Sequence, residues 1–349
     1  MLQVAGVSQG EAPSFRHLLR LSDTRGIFEH ASFTVPRYEH GYCTDDNARL
    51  LIAATRADPG EVGAKVLSRV AMSFLLQCQN DEGRVRNRMT VRGTWADDYS
   101  CNDAWGRAQW AFGTVAARGH ERWMREMGSA RFRVGLRATS DWLHSNCFAA
   151  LGASEILGVD PGNLGAARFL QRVAHDVVNR LPPGEWHWPE DRLRYANGAL
   201  PDVVIAAGVA LGDEELLDAG LTLLDWLWRM ESHEGRLSVT PVGGRGPGEA
   251  KPAFDQQPIE VATLAEACAR AWACTGDSEW ERRLRACADW FLGANDGDVM
   301  MLDPLSGGGY DGLTCDGVNI NQGAESTLAM VSTLRLAGPA PEETHVLPG

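Results

Sequence analysis

The sequence predicts an all-α protein built as an (α/α)6 toroid, six helices in an inner ring and six outside them. Three observations predict it. Six segments, near residues 45, 102, 146, 198, 257 and 321, begin with a polar cluster and continue as helices that are small or apolar on every side. Five amphipathic segments separate them, and a short helix over 14–22 supplies a sixth partner. The polar starts are 57, 44, 52, 59 and 64 residues apart, room each time for a helical hairpin and a loop, and such recurrence marks a repeat architecture. Helices apolar all round must be buried, whereas helices with one polar face form an outer layer. The inner helices then run parallel, and their N-termini meet at one end.

The elements follow in order. Phe15–Leu21 reads as a helix after a frayed start over 1–13, and 27–42 as loop or short strand. Thr44 or Asp45 caps the first inner helix, which Asp58-Pro59-Gly60 stops. Apolar residues at 62, 66, 67, 70, 71, 74 and 75 give 61–79 a helical period, and 81–89 alternates like a short hairpin. Inner helices then open at Asn102 and Asn146, each followed by an amphipathic stretch, 121–144 and 163–181. Residues 185–195 read as hairpin or loop, 197–211 and 214–230 as the next helix pair, and 234–240 as a strand. Pro258 suits the first turn of the fifth inner helix, and 278–293 is its outer partner. Ser306–Gly312 reads as a mobile rim loop before the sixth inner helix, which runs to about 336. One toroid domain over 1–338 is expected, with 339–349 a disordered tail.

Bulk properties narrow the function. Of 349 residues 44% are apolar and 23% charged, as in ordinary globular proteins. A net charge of −13 argues against non-specific nucleic-acid binding, which needs a positive surface. No 18-residue apolar run offers a membrane span, and the first residues lack the basic and apolar regions of a signal peptide. Eight scattered cysteines without a CxxC pair or metal-ligand spacing read as reduced thiols in a cytoplasmic protein.

Convergent helix starts would place the polar clusters in one cavity. They bring His40, Tyr42, Asp46, Asn47 and Arg49; Asn102, Asp103, Trp105 and Arg107; Asn197 and Asp202; Gln256, Gln257 and Glu260; and Asn321, Gln322 and Glu325. Trp188 and Tyr310 stand beside polar segments of the same end. A cap accounts for one short polar residue per helix, and Asp45 is assigned to that task. It does not account for Glu260 and Glu325, on helices otherwise small and apolar. Buried carboxylates are costly unless paired, so Asp46, Asp103, Glu260 and Glu325 are the catalytic candidates; ion pairs with Arg49 and Arg107 are the competing explanation. Amides and carboxylates bind sugar hydroxyls, and tryptophan rings cover apolar sugar faces. Two carboxyls in unlike environments serve as acid and as base or nucleophile in glycoside cleavage.

The six-hairpin pattern resembles the (α/α)6 glycosidase superfamily over nearly the whole chain. The motif from His40 to Arg49, with Asn102-Asp103-Trp105-Gly106-Arg107 and Asn321-Gln322-Gly323-Ala324-Glu325-Ser326, resembles a bacterial family encoded beside, or fused to, glycosyltransferases and mannoside phosphorylases. The resemblance implies sugar metabolism and a functional link to a glycosyltransferase. The leading expectation is a glycoside hydrolase acting on a neutral mannoside or glucoside. An epimerase would need proton-shuttling bases, usually His, and only His40 and His187 are placed near the cavity; His17, His120, His144 and His175 fall in outer helices or turns. A polysaccharide lyase would want a basic cleft, and a non-catalytic glycosyltransferase partner would lack the carboxylate pair. No metal or cofactor is expected: Asp45-Asp46 has no Asp-x-Asp loop around it, and Gly307-Gly308-Gly309 precedes no helix start.

Overall fold

A computed structural model describes residues 13–250 and 253–338. The tail 339–349, nearly all of the expected frayed start and residues 251–252 of the glycine-rich loop lie outside them. The helices are α1 (Arg16–Arg20), α2 (Thr44–Arg56), α3 (Ala64–Cys78), α4 (Asp103–Arg118), α5 (Arg122–Gly135) and α6 (Leu143–Val159). Then come α7 (Leu164–Asn179), α8 (Ala199–Leu211), α9 (Glu214–Met230), α10 (Pro258–Thr275), α11 (Ser278–Phe291) and α12 (Ala324–Ala337). The even-numbered helices form the inner ring. Each packs on the next, and α12 closes on α2. Each odd-numbered helix from α3 to α11 backs the inner helix before it, and α1 backs α12. The fold is the expected toroid.

Burial divides the rings as the apolar pattern requires. Every residue of α8 from Ala199 to Gly208 is buried, whereas α9 buries little beyond one apolar face. Glycine sets the tightest approach. On α4, Gly106 and Gly113 lie against the α6 backbone, and a Cβ at Gly113 would stand 2.2 Å from the Gly152 carbonyl oxygen. Gly113→Val therefore must push two inner helices apart, at a cost of at least the roughly 1–3 kcal/mol typical of overpacking. Gly158→Ala on α6 meets nothing within 4 Å and should gain a few tenths of a kcal/mol to about one from lost unfolded-chain freedom. Denaturant unfolding of the two variants checks both signs.

Short antiparallel pairs decorate the inner-helix N-terminal end: β1 (Ala31–Ser32) with β2 (Val35–Pro36), and β3 (Tyr42–Cys43) with β4 (Arg88–Met89). Further along are β5 (Ser232–His233) with β6 (Arg236–Leu237), β7 (Leu302–Asp303) with β8 (Gly308–Gly309), and β9 (Gly312–Thr314) with β10 (Gly317–Asn319). The expected hairpin over 81–89 is a tight reversal in which Val85 bridges Gln79, whereas β4 joins β3, immediately before α2. The expected rim loop at 306–312 is tied down, with the Gly308 N–H on Ser306 Oγ and the Gly309 N–H on Thr327 Oγ1. Among the described residues no helix is long and apolar enough to cross a membrane.

Candidate active site

The N-terminal ends of α2, α4, α10 and α12 surround a cavity of about 430 Å³, within the usual small-molecule range of roughly 300–1,000 Å³. Asp45, Asp46, Arg49, Asp103, Gln257 and Glu325 line it, with Tyr195 entering from the loop before α8. Five of these six residues at the helix starts match the sequence expectation; the sixth, Asp45, departs from its assignment to the cap. Cys43 is the N-cap instead, its Sγ accepting from the Asp46 N–H at 3.4 Å, and Asn87 Oδ1 takes the Thr44 N–H at 3.0 Å. Those acceptors relieve Asp45 of capping and leave its carboxyl to the cavity.

Arg49 is the electrostatic centre. Its Nη1 lies 2.6 Å from Asp46 Oδ1, and its Nη2 lies 2.6 Å from Glu325 Oε2 and 2.8 Å from Tyr195 Oη. Tyr195 also accepts from the buried Arg107, whose Nε stands 3.5 Å from Asp45 Oδ1 and whose guanidinium covers the Phe148 ring at 3.9 Å. Ser145 on α6 donates to Asp103 Oδ1 at 2.7 Å. Burial raises the Asp45 carboxyl above its ordinary range against the pull of Arg49 and Arg107, and raises Asp46 to about 6. Burial also pushes the Tyr195 hydroxyl up to about 12.

The raised Asp46 has a stability consequence. Its folded-state pKa exceeds the unfolded one, so its contribution is full below pH 4 and is lost as pH rises through about 6. Asp46→Asn should remove that slope, which is worth on the order of 2–3 kcal/mol across the window. Wild-type and variant unfolding free energies, compared between pH 4 and 7, give the difference directly.

Glu260 corrects the catalytic set. It is buried and turned away from the cavity, accepting from the Ala196 and Asn197 N–H groups and from Asn197 Nδ2. Burial, with Glu231 second, raises it to about 8. Ala196 has a φ of 49°, unfavourable for a residue with a Cβ, and these bonds hold that turn and hence Tyr195 beside it.

Most of the expected binding residues are structural supports. Tyr42 is buried, stacked on Phe28, and its Oη donates to Asp23 at 2.6 Å. Asn47 is buried and accepts the Ile27 N–H. Asn102 caps α4. Trp105 packs on Phe169, and Trp188 stacks on Trp226, both fully buried. Asn197 serves the 194–197 turn, and Asp202 pairs with Arg270 inside the ring. Gln256 accepts from Trp290 Nε1 and donates to Asp296. Gln322 joins Ser306 to Asp303, and Asn321 receives the Phe33 N–H. Arg107, Tyr310 and His40 are outside the lining, the His40 ring edge-on to that of His30 at 5.0 Å. No tryptophan lines the cavity among the described residues.

Segments between the helices, loops and short strands, supply what the helix pattern missed. Glu29, His30, Arg88, Asp311 and Asn319 line the cavity. Asp311 accepts from the Gly323 N–H and Ser326 Oγ, fixing the start of α12. Burial, then His40, holds His30 below its ordinary value. His144, expected in an outer element, lies in the first turn of α6, 3.7 Å from Glu190. Glu29, Cys43 and Asp46 bring one potential metal-ligand atom each within 4.8 Å of one another. Arg88 and Arg49 already neutralise the two carboxylates, and burial keeps the Cys43 thiol well above its usual value, so these residues suit a self-balanced ion cluster better than a cation site.

No family model matches the sequence, and no curated protein matches it. Solved structures do resemble it. A sugar epimerase from a ruminal bacterium superposes with a TM-score of 0.69 at 15% identity, covering 92% of this chain and 95% of that one. Cellobiose 2-epimerase from Bacillus thermoamylovorans B4167 gives 0.70 at 10% identity over 93% and 95%. A metagenome-derived family 9 endoglucanase gives 0.60 at 11% identity over 90% and 70%. At such identities the likeness is one of architecture: this chain has the (α/α)6 toroid that those epimerases and glycoside hydrolases share.

Proposed function

We propose that the protein is a carbohydrate-active enzyme, a glycoside hydrolase acting on a short neutral glycan. The observation that carries this reading is the meeting of Asp45, Asp46, Asp103 and Glu325, from three neighbouring inner helices, in one cavity. Arg49 occupies the space between Asp46 and Glu325, so that pair cannot flank a sugar ring. Asp45 and Glu325 are the better pair. Asp45 is the more enclosed of the two, its side chain 20% exposed against 38% for Glu325; its pKa is raised, and its Oδ1, 3.5 Å from Arg107 Nε, has no hydrogen-bond partner. It would donate a proton to the glycosidic oxygen as the bond to the anomeric carbon breaks. Glu325, paired with Arg49 and open to the cavity mouth, would take a proton from the attacking water or attack the anomeric carbon itself. Asp103 beside Asp45 helps keep Asp45 protonated.

A second reading, epimerisation at a reducing-end sugar, is favoured by His30. Its imidazole lines the cavity and burial holds it toward the neutral form, as a base abstracting a carbon-bound proton requires. Incubating mannosides and glucosides with the enzyme in D2O separates the readings. Hydrolysis releases new reducing ends and puts no deuterium on carbon. Epimerisation leaves the glycosidic bond intact and exchanges a carbon-bound hydrogen. If neither occurs while a glycan still binds, the enzymatic proposal fails.

A further inference from the structure

We propose that Phe33 is a stacking platform at the mouth of this cavity, and that the substrate is therefore an oligosaccharide reaching beyond it. The inference rests on the glycan reading above and extends it to chain length. In the β1–β2 hairpin Ser32 pairs with Val35, so Phe33 and Thr34 form a two-residue turn. Phe33 has a φ of 53°. That value at the first turn position is one that hairpins ordinarily give to glycine, and a bulky residue there is a conformational outlier. Phe33 is nevertheless 60% exposed, so burial does not compensate the backbone.

What holds Phe33 is the segment that leads into α12. Its N–H donates to Asn321 Oδ1 at 3.0 Å, and its carbonyl accepts from the Gln322 N–H at 3.0 Å. The segment so joined runs from Asn319, in the lining, to Glu325 on α12. At the other end of the same hairpin arm, Glu29 and His30 also line the cavity. Val35, Tyr38 and Ile320, on these two segments, are about half exposed as well. Isolated exposed apolar residues need no explanation. Here four of them continue two strips of chain outward from one polar site, and strain kept at such a place is a pointer to function. The cavity itself is lined by carboxylates and guanidinium groups, with His30 and Tyr195 as its aromatic rings. A sugar bound there has its hydroxyls served, whereas the next ring outward meets an aromatic face suited to its C–H face.

The test measures affinity against chain length. Gluco- and manno-oligosaccharides from disaccharide to hexasaccharide are titrated calorimetrically into the full chain carrying Glu325→Gln, to prevent turnover, and then into the same chain with Phe33→Gly or Phe33→Tyr added. Affinity should rise about tenfold at the length that reaches Phe33, a factor well within calorimetric resolution. Phe33→Tyr should keep that rise. Phe33→Gly should abolish it while leaving the affinity for the shortest ligand unchanged, and its melting temperature should not fall, because glycine suits the turn. Equal length dependence with and without the ring overturns the platform and leaves the hydrolase reading standing. Absence of binding at every length removes the glycan reading, and the platform with it.

Discussion

Glu325→Gln is expected to lower glycoside turnover by roughly 10²–10⁴-fold, the usual worth of a positioned acid or base, without unfolding the protein. The amide oxygen of the substituted side chain can still accept from Arg49 Nη2, and the Glu325 side chain it replaces is 38% exposed, so the screened ion pair contributes little to stability. Asp45→Asn should cost a comparable factor, for the opposite reason: an amide has no proton to give. As the acid, Asp45 works in its protonated form, which burial favours, so turnover should decline as pH rises through its pKa. In Asp45→Asn that alkaline limb should vanish from the residual rate. Because the two groups act on one bond, the double variant should be barely slower than either single one. Steady-state rates on whichever glycoside the wild type cleaves, across pH, read all three statements. Full activity in both single variants would remove the assignment.

The fold was legible because burial writes itself into composition. Helices α8 and α10 had to be small or apolar all round to sit inside a ring, and α9 and α11 had to keep a polar face. Boundaries were less clear. Helix α6 begins at Leu143, ahead of the expected Asn146, because the apolar Trp142-Leu143 pair continues the look of the preceding amphipathic stretch. The same ambiguity hid His144 among outer residues.

For the site, the sequence located the helix starts but not their facing. Successive helical residues point about 100° apart, so Asp45, Asp46 and Asn47 cannot all face the axis. Which of them does depends on partners far away in sequence. Asn87 relieves Asp45 of capping from β4's side of the chain, and the Ile27 N–H claims Asn47. Glu260 followed the same rule as Glu325, a carboxylate in the first turn of a small-residue helix, yet a strained turn at Ala196 consumes it. Tyr195, His30 and Asp311 stand on loops, where no periodicity marks a residue as facing anything.

Arg49→Met should be the most destabilising single change at the site, by roughly 3–5 kcal/mol at pH 8, the cost of stranding a buried charge. Asp46 is only 2% exposed, and the Arg49 guanidinium is the largest influence holding its carboxyl down against burial. Without it, the Asp46 pKa must climb further. The cost then depends on pH in a defined direction. Below the raised pKa the carboxyl takes a proton and the stranded charge disappears, so the same variant should lose much less at pH 5. Asp46→Asn on top of Arg49→Met should recover part of the loss at pH 8 and almost none at pH 5. Contacting groups of this kind couple by about 0.5–3 kcal/mol in a double-mutant cycle, well above the error of denaturant unfolding. Tyr195 loses one of its two guanidinium donors in the variant but keeps Arg107, so the loop before α8 should stay in place. A pH-independent loss would mean that Arg49 acts by packing its stem rather than by neutralising Asp46. In that case Asp46, not Arg49, would be the group whose charge organises the cavity.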